Sequence, residues 1–210
     1  MDIMILCGVS GSGKSSHISK CVNICSTDRY IEDYANNNGY SYSQAFYVIR
    51  ECNLFKDIEH EFYDDMRYNL YMKLPFIVDR TNLTIHGRTS LIEYINESND
   101  SIHGLKLNIH AMIIYADQKT IRTQLKKREE LTGKHIPDYV IDSQCKSFVF
   151  PTINEGFSDI NIDVPPSLSD WIEQMCKIRI TKHIDSITCK TCHSIDGELE
   201  YDSYDSYDDS

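Results

Sequence analysis

Gly8-Val9-Ser10-Gly11-Ser12-Gly13-Lys14-Ser15 follows the apolar run Ile3-Met4-Ile5-Leu6 and precedes a helix expected to begin near Ser15. The order is strand, glycine-rich turn, helix N-terminus. In that context consecutive backbone N–H groups point inward as an anion nest, a lysine reaches the β- and γ-phosphates, and a serine hydroxyl ligates Mg²⁺. The expected triphosphate contacts are Gly8, Ser10, Gly11, Ser12, Gly13, Lys14, Ser15 and Ser16, with Ser15 on the metal. Glycines permit the close phosphate approach that a Cβ hinders. A turn matching by chance would have no use for Lys14.

Working outward, Val22-Asn23-Ile24-Cys25 reads as a second strand ending at Ser26-Thr27-Asp28. Apolar residues at three- and four-residue spacing between Tyr40 and Tyr71, among them Ala45, Ile49, Phe55, Phe62, Met66 and Leu70, fit two helices. Pro75 to Asp79 reads as a buried strand, Thr89 to Ile95 as helix and Leu107 to Tyr115 as another strand. This alternation predicts an α/β fold, a mostly parallel sheet flanked by helices, and with the phosphate loop on its first strand the fold expected is that of the P-loop NTPases. Ligands in such sheets bind at the carboxyl ends of strands, which draws attention to Asp28 and Asp79. An Asp there can orient and deprotonate an acceptor hydroxyl, and Asp28 is the candidate. Its competing role is a cap on a helix beginning at Arg29. Asp79 is a candidate for water-mediated Mg²⁺ binding or for a turn cap.

The run Arg122 to Glu130 concentrates positive charge after the fourth strand, at the same end of the sheet. It reads as a basic lid, with Arg128 the side chain expected to stabilise charge on a transferring phosphoryl group. The alternative is a solvated helix face with pairs such as Lys126–Glu130.

The chain has 210 residues, 41% of them hydrophobic, and a formal charge of −11. That suffices for one substantial core, so residues 1–165 are expected to form one globular domain around the phosphate loop, 166–193 a helical extension carrying Trp171, and 194–210 a tail. The tail holds seven of the 32 acidic residues and no Lys or Arg, leaving 25 acidic against 21 basic residues before it. Its Tyr-Asp-Ser repeats have no apolar period, which predicts disorder. No apolar run approaches the ~18 residues of a membrane span, and no signal peptide is evident, so an intracellular protein is expected. The eight cysteines are then expected to be reduced thiols, with Cys7 and Cys52 as core fillers. Cys189-Lys190-Thr191-Cys192-His193 formally matches a haem attachment pattern, and a zinc site at Cys189 and Cys192 fits it better, but neither has the second ligand pair or export signal it needs.

Four of these segments, in order, resemble the 5′-hydroxyl polynucleotide kinases: Gly8 to Ser15; Ser26-Thr27-Asp28-Arg29; Ile77-Val78-Asp79-Arg80-Thr81-Asn82; and Arg128 to Pro137 with Phe150-Pro151-Thr152-Ile153-Asn154-Glu155-Gly156-Phe157. The resemblance spans about residues 3–160. It implies ATP and Mg²⁺ at Lys14 and Ser15, Asp28 on the 5′-hydroxyl of DNA or RNA, Arg128 on the transferring phosphate, and Arg29, Asp79, Arg80 and Arg88 on the acceptor side. It also implies a ligase in the same repair pathway. Thr27 and Ile31 depart from the family, standing where relatives carry arginines. The phosphatase motif of bifunctional relatives, Asp-x-Asp-x-Thr, is absent from this sequence. Two other readings stand beside this one: a kinase of a small metabolite or aminoacyl-tRNA, and an ATP-binding switch. A GTPase is disfavoured by the lack of Asp-x-x-Gly and Asn-Lys-x-Asp segments.

Overall fold

The computed structural model describes residues 1–18 and 23–163. Five strands, β1 (Asp2–Cys7), β2 (Asn23–Cys25), β3 (Phe76–Val78), β4 (Asn108–Ile114) and β5 (Asp159–Asp163), form one sheet in the order β2-β3-β1-β4-β5. Every pair in it is parallel. Parallel neighbours need long crossovers. Helices α1 (Thr27–Asn38), α2 (Tyr42–Glu51) and α3 (Phe55–Tyr71) connect β2 to β3, α4 (Ile85–Ile102) connects β3 to β4, and α5 (Gln118–Thr132) and α6 (Asp138–Ser147) lie between β4 and β5.

Side-chain alternation along β1 divides the core. Ile3, Ile5 and Cys7 pack with Phe62, Met66 and Leu70 of α3 and Leu91, Ile92 and Ile95 of α4. Leu6 faces the other way, with Ile77, Met112 and Ile114. Both faces of the sheet are therefore apolar around β1, which is why β1 and β3 read as unbroken hydrophobic runs rather than as alternating ones.

The two helices expected between Tyr40 and Tyr71 are α2 and α3, parted at Asn53, whose positive φ of 57° interrupts the helical path. The start of α2 is fixed by a capping box: Ser41 Oγ accepts from the Gln44 N–H, and Gln44 Oε1 accepts from the Ser41 N–H. Thr84 caps α4, which is longer than the expected Thr89 to Ile95 segment because its flanks are mostly polar, with Ile85 and Ile102 the apolar residues at its two ends. In place of a helix opening at Ser15, the chain makes a short 3₁₀ turn over Lys14–His17. Strand β5 has no counterpart in the sequence reading, since Asp-Ile-Asn-Ile-Asp sits at the sheet edge and is largely polar. Cys7 is a core residue as expected, and burial pushes its thiol up to about 12. Cys52 is a correction: it is exposed where α2 ends. The expected extension with Trp171, the Cys189/Cys192 pair and the acidic tail lie outside the described residues.

Candidate active site

The phosphate loop joins β1 to the 3₁₀ turn, with Gly11 at φ +80° and Gly13 at φ +100°. A Cβ on Gly11 would stand 2.7 Å from Leu125 Cγ and 3.2 Å from the Ile121 carbonyl oxygen, so α5 packs directly on the loop. Lys14 turns inward, its Nζ donating to the carbonyls of Gly8 (2.8 Å) and Val9 (2.9 Å). Burial lowers its pKa to about 8, against the pull of the Asp79 and Asp28 charges, and Arg128 adds to the lowering. The Ser10 N–H donates to Gln144 Oε1 at 2.8 Å, and the Ser12 N–H closes a turn to Val9 O, so α6 and the loop itself hold these two amides. The Ser16 side chain lies outside the described residues.

The ends of β3, which pairs with β1, and of β2, which pairs with β3, deliver the carboxylates. Asp28 sits in the first turn of α1, where Ser26 occupies the cap position, so the carboxylate is free of the capping role considered for it. Tyr42 Oη donates to Asp28 Oδ1 at 2.7 Å and Lys134 Nζ to Oδ2 at 2.5 Å. Burial raises the Asp28 pKa, but the charge and hydrogen bond of Lys134, the Tyr42 hydroxyl and Arg128 outweigh it, and the carboxyl stays below its ordinary range. Asp79 follows β3, its N–H bonded to the Cys25 carbonyl at 2.9 Å, which stitches the two strand ends together. Its pKa is raised by burial and by the Asp28 charge, with Lys14 opposing.

Two cavities meet at these groups. One, of about 450 Å³, is lined by the phosphate loop, Gln124 and Gln144. The other, about 770 Å³, is lined by Ser26, Arg29, Glu32, Asp65, Tyr68 and Asn69. Ser15, Asp28, Asp79 and Arg128 line both. Arg128 is one-third exposed, 3.9 Å from Glu32 Oε1. The structure therefore gathers Lys14, Ser15, Asp28, Asp79 and Arg128 around one junction, with Arg29 on the second cavity and Arg80 on the first, its guanidinium 5.0 Å from the Phe62 ring centre.

Arg88 is not among them. It is fully buried, with Nε 2.7 Å and Nη2 3.0 Å from the two Glu155 carboxylate oxygens and Nη1 donating to the carbonyls of Asn82 and Val149. The acceptor role the resemblance gave it is corrected by this burial: it is an internal strut. Through Asn82, whose Nδ2 donates to the Leu6 carbonyl, it braces the turn whose Thr81 carbonyl takes the Gly8 N–H. Conversely, the sequence reading gave no role to Lys134 or Tyr42. The only signal was that Lys134 falls within the Arg128 to Pro137 segment that resembles the polynucleotide kinases. Lys126 and Glu130 are exposed on α5, and the ion pairs of this helix with α6 come instead from Arg122, which meets Asp138 and Asp142.

Oxygen donors alone suit a hard cation, and Mg²⁺ is usually held by one or two protein oxygens with substrate phosphates and water completing its shell. Ser15 and Asp79, beside the glycine cradle, fit that arrangement. Among the described residues, no group of three or more His, Cys, Asp or Glu could hold a metal by itself.

A phosphate loop between strand and turn, a five-stranded parallel sheet and carboxylates at neighbouring strand ends define a P-loop kinase fold. A family model described as an AAA domain matches residues 3–151, and the chain belongs to that family of P-loop kinases. Among solved structures, it is similar to a proposed kinase from Chloroflexus aurantiacus, with TM-score 0.56 and 10% identity over 84% of this chain and 96% of that one. It is also similar to a gluconokinase from Sinorhizobium meliloti, with TM-score 0.42 and 16% identity over 82% and 88% of the two chains. No curated protein matches the sequence. No helix among the described residues is long and apolar enough to cross a membrane.

Proposed function

We propose that the protein is a phosphotransferase that moves the γ-phosphoryl group of ATP to an alcohol at the junction of the two cavities. The observation that carries this reading is that the four residues shared by the cavities include a hydroxyl, two carboxylates and an arginine, with Lys14 behind them. Lys14 and the loop amides hold the β- and γ-phosphates in the smaller cavity. Ser15 and Asp79 would hold Mg²⁺, which would neutralise phosphate charge. The acceptor enters from the larger cavity and donates its hydroxyl hydrogen bond to Asp28. As its oxygen bonds to the γ-phosphorus, the bond to the β–γ bridging oxygen breaks, ADP leaves, and the hydroxyl proton passes to the Asp28 carboxylate. Arg128 offsets the charge spread over the moving phosphoryl oxygens. Because Asp28 is ionised at neutral pH, it orients the hydroxyl first and takes the proton late.

The acceptor proposed is the 5′-hydroxyl end of DNA or RNA. Support comes from the four resembling segments, with Asp28 and Arg128 at the junction and Arg29 at the outer wall. A second reading, a compact polyhydroxylated metabolite, is favoured by one observation: Glu32 and Asp65 line the acceptor cavity beside a single further cation, Arg29. Carboxylates accept hydrogen bonds from hydroxyls and repel backbone phosphates.

Incubation with γ-labelled ATP and matched DNA and RNA oligonucleotides, bearing either 5′-hydroxyl or 5′-phosphate ends, beside a panel of polyols and sugars, tests both. Label on 5′-hydroxyl ends alone supports the first reading, and label on a polyol with none on oligonucleotides supports the second. Asp28→Asn should retain ATP affinity and lose ~10²–10⁴-fold in transfer. ATP binding with no transfer to any acceptor would leave a nucleotide-binding module and end the phosphotransfer proposal.

A further inference from the structure

Among the described residues two lysines are buried, Lys14 and Lys134. The phosphate loop accounts for the first. The second lies just past α5, where Gly133 takes a positive φ of 69°. Its neighbours are pinned to α2: Ser43 Oγ donates to the Gly133 carbonyl at 2.8 Å and accepts from the His135 N–H at 3.3 Å. The ammonium group is thereby delivered 2.5 Å from Asp28 Oδ2, 3.9 Å from Glu32 Oε1 and 4.0 Å from the Tyr42 ring centre. Tyr42 Oη holds the other carboxylate oxygen. Each Asp28 oxygen thus has one fixed donor, and each sp² oxygen keeps a second lone pair.

We propose that Lys134 and Tyr42 are positioning residues for phosphoryl transfer, clamping the Asp28 carboxylate from α2 and the segment after α5 so that a remaining lone pair faces the acceptor hydroxyl. This rests on Asp28 being the group that receives the acceptor's proton. The carboxylate takes that proton while Lys134 keeps its own, so no charge is created in the buried pocket beyond that of the transferring phosphate. The other charged groups facing Asp28 are Lys14 of the phosphate loop, Asp79 after β3, Glu32 of α1 and Arg128 of α5. Loss of the Lys134 charge leaves the two neighbouring carboxylates less compensated. Asp28 then binds its proton more readily.

The test compares wild type, Lys134→Met and Tyr42→Phe in the full chain. Three quantities are read: kcat against KM for ATP, the acidic limb of the pH profile, and the ¹³C carboxyl titration of Asp28, assigned with Asp28→Asn. Lys134→Met should lower kcat about ten- to a hundredfold, the scale of a misplaced catalytic group, with ATP affinity unchanged. Its acidic limb and Asp28 titration should both move to higher pH. Tyr42→Phe, which keeps the ring, should move both in the same direction by less, and it decides the matter if Lys134→Met does not fold. An unmoved Asp28 titration in the folded variants overturns the clamp. So does ATP affinity that falls in step with kcat, which would place Lys134 on the donor phosphates. A wild-type protein that phosphorylates no alcohol ends the proposed function, whereas the titration still reports whether Lys134 governs this carboxylate.

Discussion

Replacing Arg88 by Met tests the internal strut against the acceptor role. The guanidinium is fully buried and Glu155 nearly so, with side-chain exposures of 0% and 3%. Four hydrogen bonds of 2.7–3.0 Å would be lost at once. Methionine fills much of the volume, so the cavity term is small, and the cost comes from the Glu155 carboxylate left without its cation and from the unpaired carbonyls of Asn82 and Val149. Removing one partner of a buried ion pair costs about 3–5 kcal/mol. For a domain of this size, at about 2–4 °C per kcal/mol, the melting temperature should fall by about 6–20 °C. Urea unfolding followed by circular dichroism measures this directly, with an unchanged m-value expected. The double variant Arg88→Met/Glu155→Leu should be less destabilised than the sum of the single ones, because the stranded charge is gone. Stability within about 1 kcal/mol of wild type for Arg88→Met, together with weakened acceptor binding, would show that Arg88 works at the surface and refute the strut.

Gly11→Ala places a Cβ 2.7 Å from Leu125 Cγ at a φ of +80°, so it should lose ATP binding and destabilise the fold by at least the ~1–2 kcal/mol of a left-handed non-glycine residue; isothermal titration and thermal unfolding check both. Lys14, with its pKa lowered to about 8 rather than the ordinary 10.5, must be charged to pair with phosphates. Below pH 8 it already is, and above it binding must take up a proton, so the dissociation constant for ATP should rise by about tenfold per pH unit from pH 8 upward. Calorimetry in buffers of different ionisation enthalpy measures that uptake, and an affinity that stays flat to pH 9.5 would contradict the burial of this ammonium group.

The phosphate loop and the strands carrying it were legible because they are local. An unbroken apolar run, closely spaced glycines and a lysine encode strand, turn and anion cradle within about a dozen residues. Asp28 and Asp79 were legible for a related reason, since parallel sheets present their ligands at strand ends. Neither α6 nor β5 was legible. The first has a weak apolar face with Ile141 as its buried residue, and the second is half polar at the sheet edge. Arg88 was misplaced because an arginine after the Thr81-Asn82 turn has the same composition whether it faces solvent or the core.

The sequence alone determined the α/β class, the glycine-rich loop after β1 and the choice of Asp28 as candidate base, all of which depend on residues near one another in the chain. Only the tertiary structure decided which charged groups lie at the junction and which are buried away from it. Glu155 meets Arg88 across 67 residues, and Lys134 meets Asp28 across 106. A charge buried at such separations is tolerable only where the fold supplies its partner. Hydrophobic periodicity carries no information about where that partner comes from.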